Sequence, residues 1–346
     1  MLTADGNSED RMVFRRAMTP YRDASGGAAP GSIATLEPVE LGGVTQWILI
    51  QGRSASLPIL LFLHGGPGDP NILWARRFQA PLEESFLVVN WDQRGCGLSY
   101  SRDASPDSMT IDQLVGDALE LARKLCDRFR QKQLFLIGHS WGTLLAFRAI
   151  EKDPRWFEQY FAVSPFVSDA KAAEIAYWWA LVKARSTLND KAIRELETVG
   201  PPSAGLPRSF AVRRKWVEKF GGYSRHWPIS RILRSALTDL QEYTLRDLLR
   251  YGRGQAFSVG HLLPQAAQFD LSEESVSLAV PLVLCQGRFD YVTPAELSRT
   301  FFDHLKAPEK TWVWFEDAAH LVPFDQPEVF GNTVRQLALG GGDFPS

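Results

Sequence analysis

The sequence predicts an α/β protein: a mostly parallel central sheet flanked by helices, with a helical cap inserted after the sixth core strand. Three observations carry that expectation. Short runs recur that are apolar at consecutive rather than alternate positions, as in PILLFLHGG (58–66), FLVVNWDQRG (86–95) and QLFLIGHS (133–140). Such strands are buried on both faces, the mark of a parallel sheet covered by helices. Helical stretches alternate with them. From about Phe166 to Asp270 the strand runs stop and the chain reads helical, aromatic and basic, before VPLVLCQGRFD (280–290) and TWVWFEDAAH (311–320) resume the sheet pattern.

Taken in order, residues 1–30 are rich in Gly, Ala, Ser, Asp and Arg and are expected to be an arm outside the packed body. SIATLEPVEL (32–41) and VTQWILIQG (44–52) open the strand set, and YFAVSP (160–165) closes its first six members. In TIDQLVGDALELARKLCDRF (110–129), Ile111, Leu114, Val115, Ala118, Leu121, Ala122 and Leu125 recur at three- and four-residue steps on one helix face. Thr110 is the expected N-cap, with Gln113 three residues on completing a capping box. The resulting division is a core of residues 31–165 and 273–346, with the cap at 166–272.

Bulk properties exclude several classes. With 346 residues, 45% hydrophobic, and a net charge of −2, the chain can bury a sizeable core and shows no basic stripe for nucleic acid. Three cysteines, Cys96, Cys126 and Cys285, lack C-x-x-C spacing, so neither a disulfide framework nor a zinc site is expected. Cys96 and Cys285 read as small buried hydrophobes. No signal-peptide core or 18-residue apolar run occurs, which points to a cytoplasmic protein without a membrane span. Oligomeric state has no sequence signal.

GHSWG (138–142) sets a serine between two glycines, directly after one apolar run and before another. Glycine weakens strand and helix alike, by up to about 1 kcal/mol. Its presence makes sense if Ser140 sits on a sharp strand-to-helix turn, where Gly138 and Gly142 remove side chains that would clash. A serine hydroxyl there needs a base, and the base needs an orienting carboxylate. Asp290, beyond PLVLCQG, and His320, beyond TWVWFED, each follow a core strand, in the order Ser140, Asp290, His320. His64, His139, His226, His261 and His304 lack that combination of order and context, and His226 reads as a cap surface residue. HGGPG (64–68) leaves backbone bare near a substrate oxygen, so the N–H groups of Gly66 and Trp141 are the expected oxyanion donors. Asp92 and Arg94 of WDQRG read as a structural ion pair or as turn-fixing residues.

HGGPG, DQRGCGLS (92–99), GHSWG, GRFDYVTP (287–294) and AAHLVP (318–323) together resemble the proline iminopeptidase branch of the α/β-hydrolase superfamily, serine aminopeptidases acting on small peptides. The resemblance covers about residues 33–165 and 275–340. It implies Ser140 as nucleophile, His320 as general base then acid, Asp290 as its partner, and no metal or organic cofactor. It also implies a cap closing over the site, with acidic cap residues binding the substrate's α-amino group. Glu174 is the first candidate for that role and Asp169 the second, a solvated helix face being the alternative. Gly65 and Tyr177 are expected beside the substrate; Tyr177, Trp178 and Trp179 could line an apolar pocket or pack the cap. The chain departs from the branch at His139, where glycine is common, and at Leu98, where arginine is usual. The expected activity is removal of N-terminal proline or another small or apolar residue from a short-peptide or small-molecule substrate. An esterase or lactonase with the same triad is the alternative, and a non-catalytic binding protein on the same scaffold stands behind both.

Overall fold

The computed structural model of the protein describes residues 30–202, 207–238 and 242–340, so the expected arm lies outside the described residues apart from Pro30. Among the described residues eight strands form one sheet: β1 (Ile33–Leu41), β2 (Val44–Gly52), β3 (Ile59–Leu63), β4 (Leu87–Asp92), β5 (Leu134–His139), β6 (Phe157–Val163), β7 (Leu282–Gly287) and β8 (Lys310–Phe315). Their spatial order is β1-β2-β4-β3-β5-β6-β7-β8. The β1–β2 hairpin joins β4 antiparallel, and β3 to β8 all run parallel. This is the mostly parallel sheet the consecutive apolar runs predict.

Helices α1 (Ile72–Phe78), α2 (Ala80–Glu83), α3 (Ile111–Phe129) and α4 (Trp141–Lys152) fall between the first six strands. Between β6 and β7 come α5 (Asp169–Ser186), α6 (Asp190–Val199), α7 (Pro207–Lys219), α8 (Ile229–Thr238) and α9 (Leu245–Ala266). After β7 follow α10 (Ala295–His304), α11 (Val322–Asp325) and α12 (Pro327–Leu339). The strands serve two cores at once. Ile59, Leu61 and Leu63 of β3 pack with Leu121, Leu144 and Phe301 from α3, α4 and α10, whereas Leu60 and Phe62 pack with Leu82, Phe330 and Val334 from α2 and α12. Because successive strand side chains point to opposite faces, only uninterrupted apolar residues satisfy both layers. The inserted helices hold a cluster of their own, in which Ala180, Leu181, Leu196 and Trp216 are buried.

Thr110 does cap α3, accepting from the Gln113 backbone N–H at 3.1 Å. The capping box expected there is only half formed, because the Gln113 side chain donates instead to Asp117 Oδ1 at 2.8 Å. Held on Asp117, the Gln113 side chain does not turn its Oε1 back to accept the Thr110 N–H. The complete box is at α9, between Thr244 and Asp247.

Asp92 and Arg94 do not pair with one another. Arg94 forks onto Asp117, Nε to Oδ2 at 2.8 Å and Nη2 to Oδ1 at 2.9 Å, and also donates to the carbonyls of Leu41 and Gly42. Asp92 fixes the turn after β4 by accepting the Leu98 N–H at 2.8 Å and the Tyr243 hydroxyl. Asp117 is fully buried and Arg94 nearly so, so removing either partner strands a charge. Asp117→Ala is expected to lower the unfolding free energy by about 3–5 kcal/mol, read from the denaturant midpoint at constant slope.

Candidate active site

Ser140 occupies the turn between β5 and α4 with φ 53° and ψ −120°, a left-handed conformation that a serine adopts only when its surroundings force it. The forcing contact is backbone against backbone. A Cβ on Gly142 would lie 2.2 Å from the Leu63 carbonyl oxygen of β3, and one on Gly138 would lie 2.7 Å from the Gly142 carbonyl oxygen. Both glycines are therefore needed for α4 to start this close to the sheet. The Ser140 N–H is tied to the Val163 carbonyl at 2.9 Å, which leaves the hydroxyl turned out of the elbow.

The structure brings Asp290 and His320 to that hydroxyl. His320 Nε2 stands 3.0 Å from Ser140 Oγ, and His320 Nδ1 stands 3.0 Å from Asp290 Oδ2. A carboxylate accepts only, so Nδ1 carries the hydrogen and Nε2 is free to accept the serine proton. Asp290 is itself held by the N–H groups of Val292 and Thr293 on Oδ1, each at 2.9 Å, and by the Thr293 hydroxyl on Oδ2 at 2.8 Å. Burial pushes its carboxyl up, but the neighbouring His320 and the bonds from His320 and Thr293 outweigh burial and hold it below the usual carboxylate range. The loop carrying His320 crosses the end of β7 closely enough that a Cβ on Gly287 would meet the Ala319 carbonyl oxygen at 2.0 Å. Asp325 fastens the same loop, accepting from the Ala319 N–H at 3.0 Å, from the N–H of His226 at 3.0 Å and of Arg225 at 3.1 Å, and from the Ser224 hydroxyl at 2.5 Å.

Gly65 and Gly66 line the cavity in front of Ser140. Among the described residues neither the Gly66 nor the Trp141 backbone N–H has an acceptor, which leaves both available to an incoming oxygen. Two buried histidines surround this loop. His64 Nδ1 lies 2.8 Å from the Gly65 carbonyl, and its Nε2 accepts the Gln93 N–H at 3.2 Å. His139 Nε2 lies 2.9 Å from the His320 carbonyl. Burial brings His64 down to about 4 and, with the neighbouring His320, brings His139 down to about 3. Both are neutral near pH 7, so no cation at His139 opposes a positive charge forming on His320. His226 is exposed on Asp317 at 2.8 Å, and Cys96 and Cys285 are buried thiols.

The cavity measures about 560 Å³. Helix α5 turns Asp169, Ala172, Ala173 and Ala176 toward it, a face repeating at three- and four-residue steps. Glu174 falls about 100° away from Ala173 around the helix, is exposed, and does not line the cavity. Tyr177 does not line it either: the ring is buried among Ala180, Leu181 and Leu196, with its hydroxyl 3.4 Å from the Leu196 carbonyl. Trp179 stacks on Tyr291 at 3.9 Å, and Trp178 is exposed. Sequence reasoning missed Thr293, whose Asp-x-x-Thr spacing was the available signal. It also missed Asp69, Arg213, Arg214, Tyr223 and Tyr251, all of which line the cavity.

Chain order separates this arrangement from other serine enzymes: serine, then aspartate, then histidine, each beyond a parallel strand of one sheet, is the α/β-hydrolase plan, and the protein is an enzyme of that class. Comparison with known proteins narrows it. The chain belongs to the serine aminopeptidase family S33, whose model matches residues 59–327. It is 35% identical over 311 residues to the "Probable aminopeptidase YbaC" of Bacillus subtilis (strain 168), covering 89% of this chain and 97% of that one. It is 26% identical to a proline iminopeptidase of Levilactobacillus brevis over 82% of this chain and 89% of that one. Among solved structures, a proline iminopeptidase-related protein from Thermus thermophilus superposes with a TM-score of 0.60 at 20% identity, covering 88% of this chain and 96% of that chain. No helix among the described residues is long and apolar enough to cross a membrane.

The two neutral histidines give a stability signature. A histidine unfolds to an ordinary value near 6.5, so below that pH the unfolded chain takes up protons that the folded chain refuses until about pH 4 or lower. Stability is therefore full above pH 6.5 and should fall with acidification by about 1.4 kcal/mol per pH unit for each histidine. His139→Gln keeps a donor for the His320 carbonyl but cannot titrate. It should remove about half of the slope between pH 6.5 and 4.5, measured by urea midpoints.

Proposed function

We propose that the protein is an aminopeptidase that releases a small or apolar N-terminal residue, proline included, from short peptides through an acyl-enzyme, with α5–α9 as its cap. Ser140 Oγ attacks the carbonyl carbon of the first peptide bond while His320 Nε2 takes its proton. The oxyanion lies against the N–H groups of Trp141 and Gly66, at the positive end of α4. Asp290 keeps the imidazole in the required tautomer and faces the imidazolium as it forms. His320 then returns the proton to the leaving amine, the C–N bond breaks, and the shortened peptide departs. Water, deprotonated by His320, attacks the acyl-enzyme ester, and Ser140 regains its proton as the amino acid is released.

The observation that carries this reading is the pair of 3.0 Å contacts linking Ser140, His320 and Asp290 beside a cavity lined by two carboxylates, Asp69 and Asp169. An α-ammonium inside such a cavity needs an anionic partner, and a neutral ester does not. Membership in the serine aminopeptidase family supports the same substrate class.

Ser140→Ala should lower turnover of alanyl and prolyl arylamides by about 10⁴-fold or more while leaving the unfolding midpoint in place, and Asp290→Asn should cost about 10⁴-fold in kcat. Wild-type enzyme should favour arylamides with a free α-amino group over their N-blocked analogues. Equal kcat/KM for the two would dismiss the aminopeptidase reading in favour of an esterase.

A further inference from the structure

Four charged side chains face the cavity: Asp69, Asp169, Arg213 and Arg214. Among the described residues none of the four stands within 4.0 Å of an opposite charge. Arg214 is exposed and the other three are half-buried, so each remains available to a charge on a bound molecule. Here they are distributed, and the sheet order says how. Ser140 follows β5, which lies between β3 and β6. Asp69 is on the loop after β3, and Asp169 opens α5 after β6. Neighbouring strands are about 4.8 Å apart, so the two loops flank Ser140 at a separation of about 10 Å.

Each side carries one acid and one base, Asp69 with Arg214 and Asp169 with Arg213. Asp69 is steadied by neutral donors from α9, the Gln255 amide and the Tyr251 hydroxyl, neither of which cancels its charge. Burial pushes its carboxyl up, against the opposing fields of Arg214 and His320. On the other side the Arg213 guanidinium lies over the Phe210 ring at 5.3 Å, and burial, opposed at long range by Asp169, pulls it down. Its fork of donors is not taken up by a carboxylate.

Resting on the aminopeptidase reading above, we propose that the cavity takes a whole short peptide as a zwitterion. The Asp69 carboxylate receives the α-ammonium and the Arg213 guanidinium receives the free terminal carboxylate of a di- or tripeptide. The ammonium is two bonds from the carbonyl that Ser140 attacks, so its partner has to stand beside the Ser140–His320 pair. Asp69 is the cavity carboxylate whose field reaches His320. The terminal carboxylate lies beyond the scissile bond, and a guanidinium binds it with two parallel N–H···O bonds. An extended chain spans about 3.3–3.6 Å per residue, so two or three residues cover the distance between the two sides. Longer peptides carry their carboxylate past Arg213. The ends of the substrate, rather than its first side chain alone, select it.

The experiment uses the purified full chain with four substrates: Ala-Ala, its C-terminal amide, alanine 4-nitroanilide and the des-amino propionyl 4-nitroanilide, with released alanine or nitroaniline quantified. Wild type should cleave Ala-Ala with kcat/KM about 30-fold above that for the amide, the factor a charge-assisted bidentate contact supplies. Arg213→Gln should bring that ratio toward one through KM, with Arg213→Lys intermediate. Asp69→Asn should bring the alanyl-to-propionyl ratio toward one. Equal cleavage of Ala-Ala and its amide by wild type, or an unchanged ratio in folded Arg213→Gln and Arg213→Lys, overturns the inference and leaves the aminopeptidase reading standing. A wild-type enzyme indifferent between alanyl and propionyl anilides overturns that reading itself.

Discussion

The position of Ser140 follows from one backbone contact, the approach of α4 to β3 at Gly142 and the Leu63 carbonyl. With nothing larger than hydrogen tolerated there, the first turn of α4 is pressed onto the sheet, and the residue before it is left in a conformation costing of order 1–3 kcal/mol. The sheet's parallel strands end at one edge, so the loops after β3, β5, β7 and β8 deliver Gly66, Ser140, Asp290 and His320 to one place without any of them being near another in sequence. A second tight crossing, Gly287 under Ala319, sets the height of the imidazole over the hydroxyl.

The electrostatic design is one of selective neutrality. Imidazoles crowd the site, yet His64 and His139 are kept uncharged by burial, and each spends its hydrogen on a backbone carbonyl. His320 is thus the one among these three with a carboxylate behind it. In the proposed mechanism the imidazolium formed at His320 therefore faces Asp290, with no neighbouring cation at His64 or His139.

The sheet was legible because double burial leaves no freedom: Leu60 and Leu61 serve different cores, so every position must be apolar. The serine, aspartate and histidine were legible for a related reason, since each follows such a run directly. The helices between β6 and β7 were not. On α5 one step separates Ala173, which lines the cavity, from Glu174, which faces outward, and the stretch is apolar enough around its circumference that composition does not fix its phase. Tyr177 was assigned to the pocket by type, and packing against Leu181 and Leu196 claimed it. Asp69 follows HGGPG immediately, but nothing local reveals that α9 folds back to hold it through Gln255.

Asp325 adds a mechanical link. One buried carboxylate gathers donors from residues 224–226, which follow the cavity-lining Tyr223, and from Ala319, the residue before His320. Swinging that corner outward to admit a bulkier guest would pull on the tether of the imidazole itself, so width of entry and alignment for proton transfer cannot be tuned independently there. The cavity-lining alanines of α5, Ala172, Ala173 and Ala176, lie outside that tether, so the space they border can change without pulling on it.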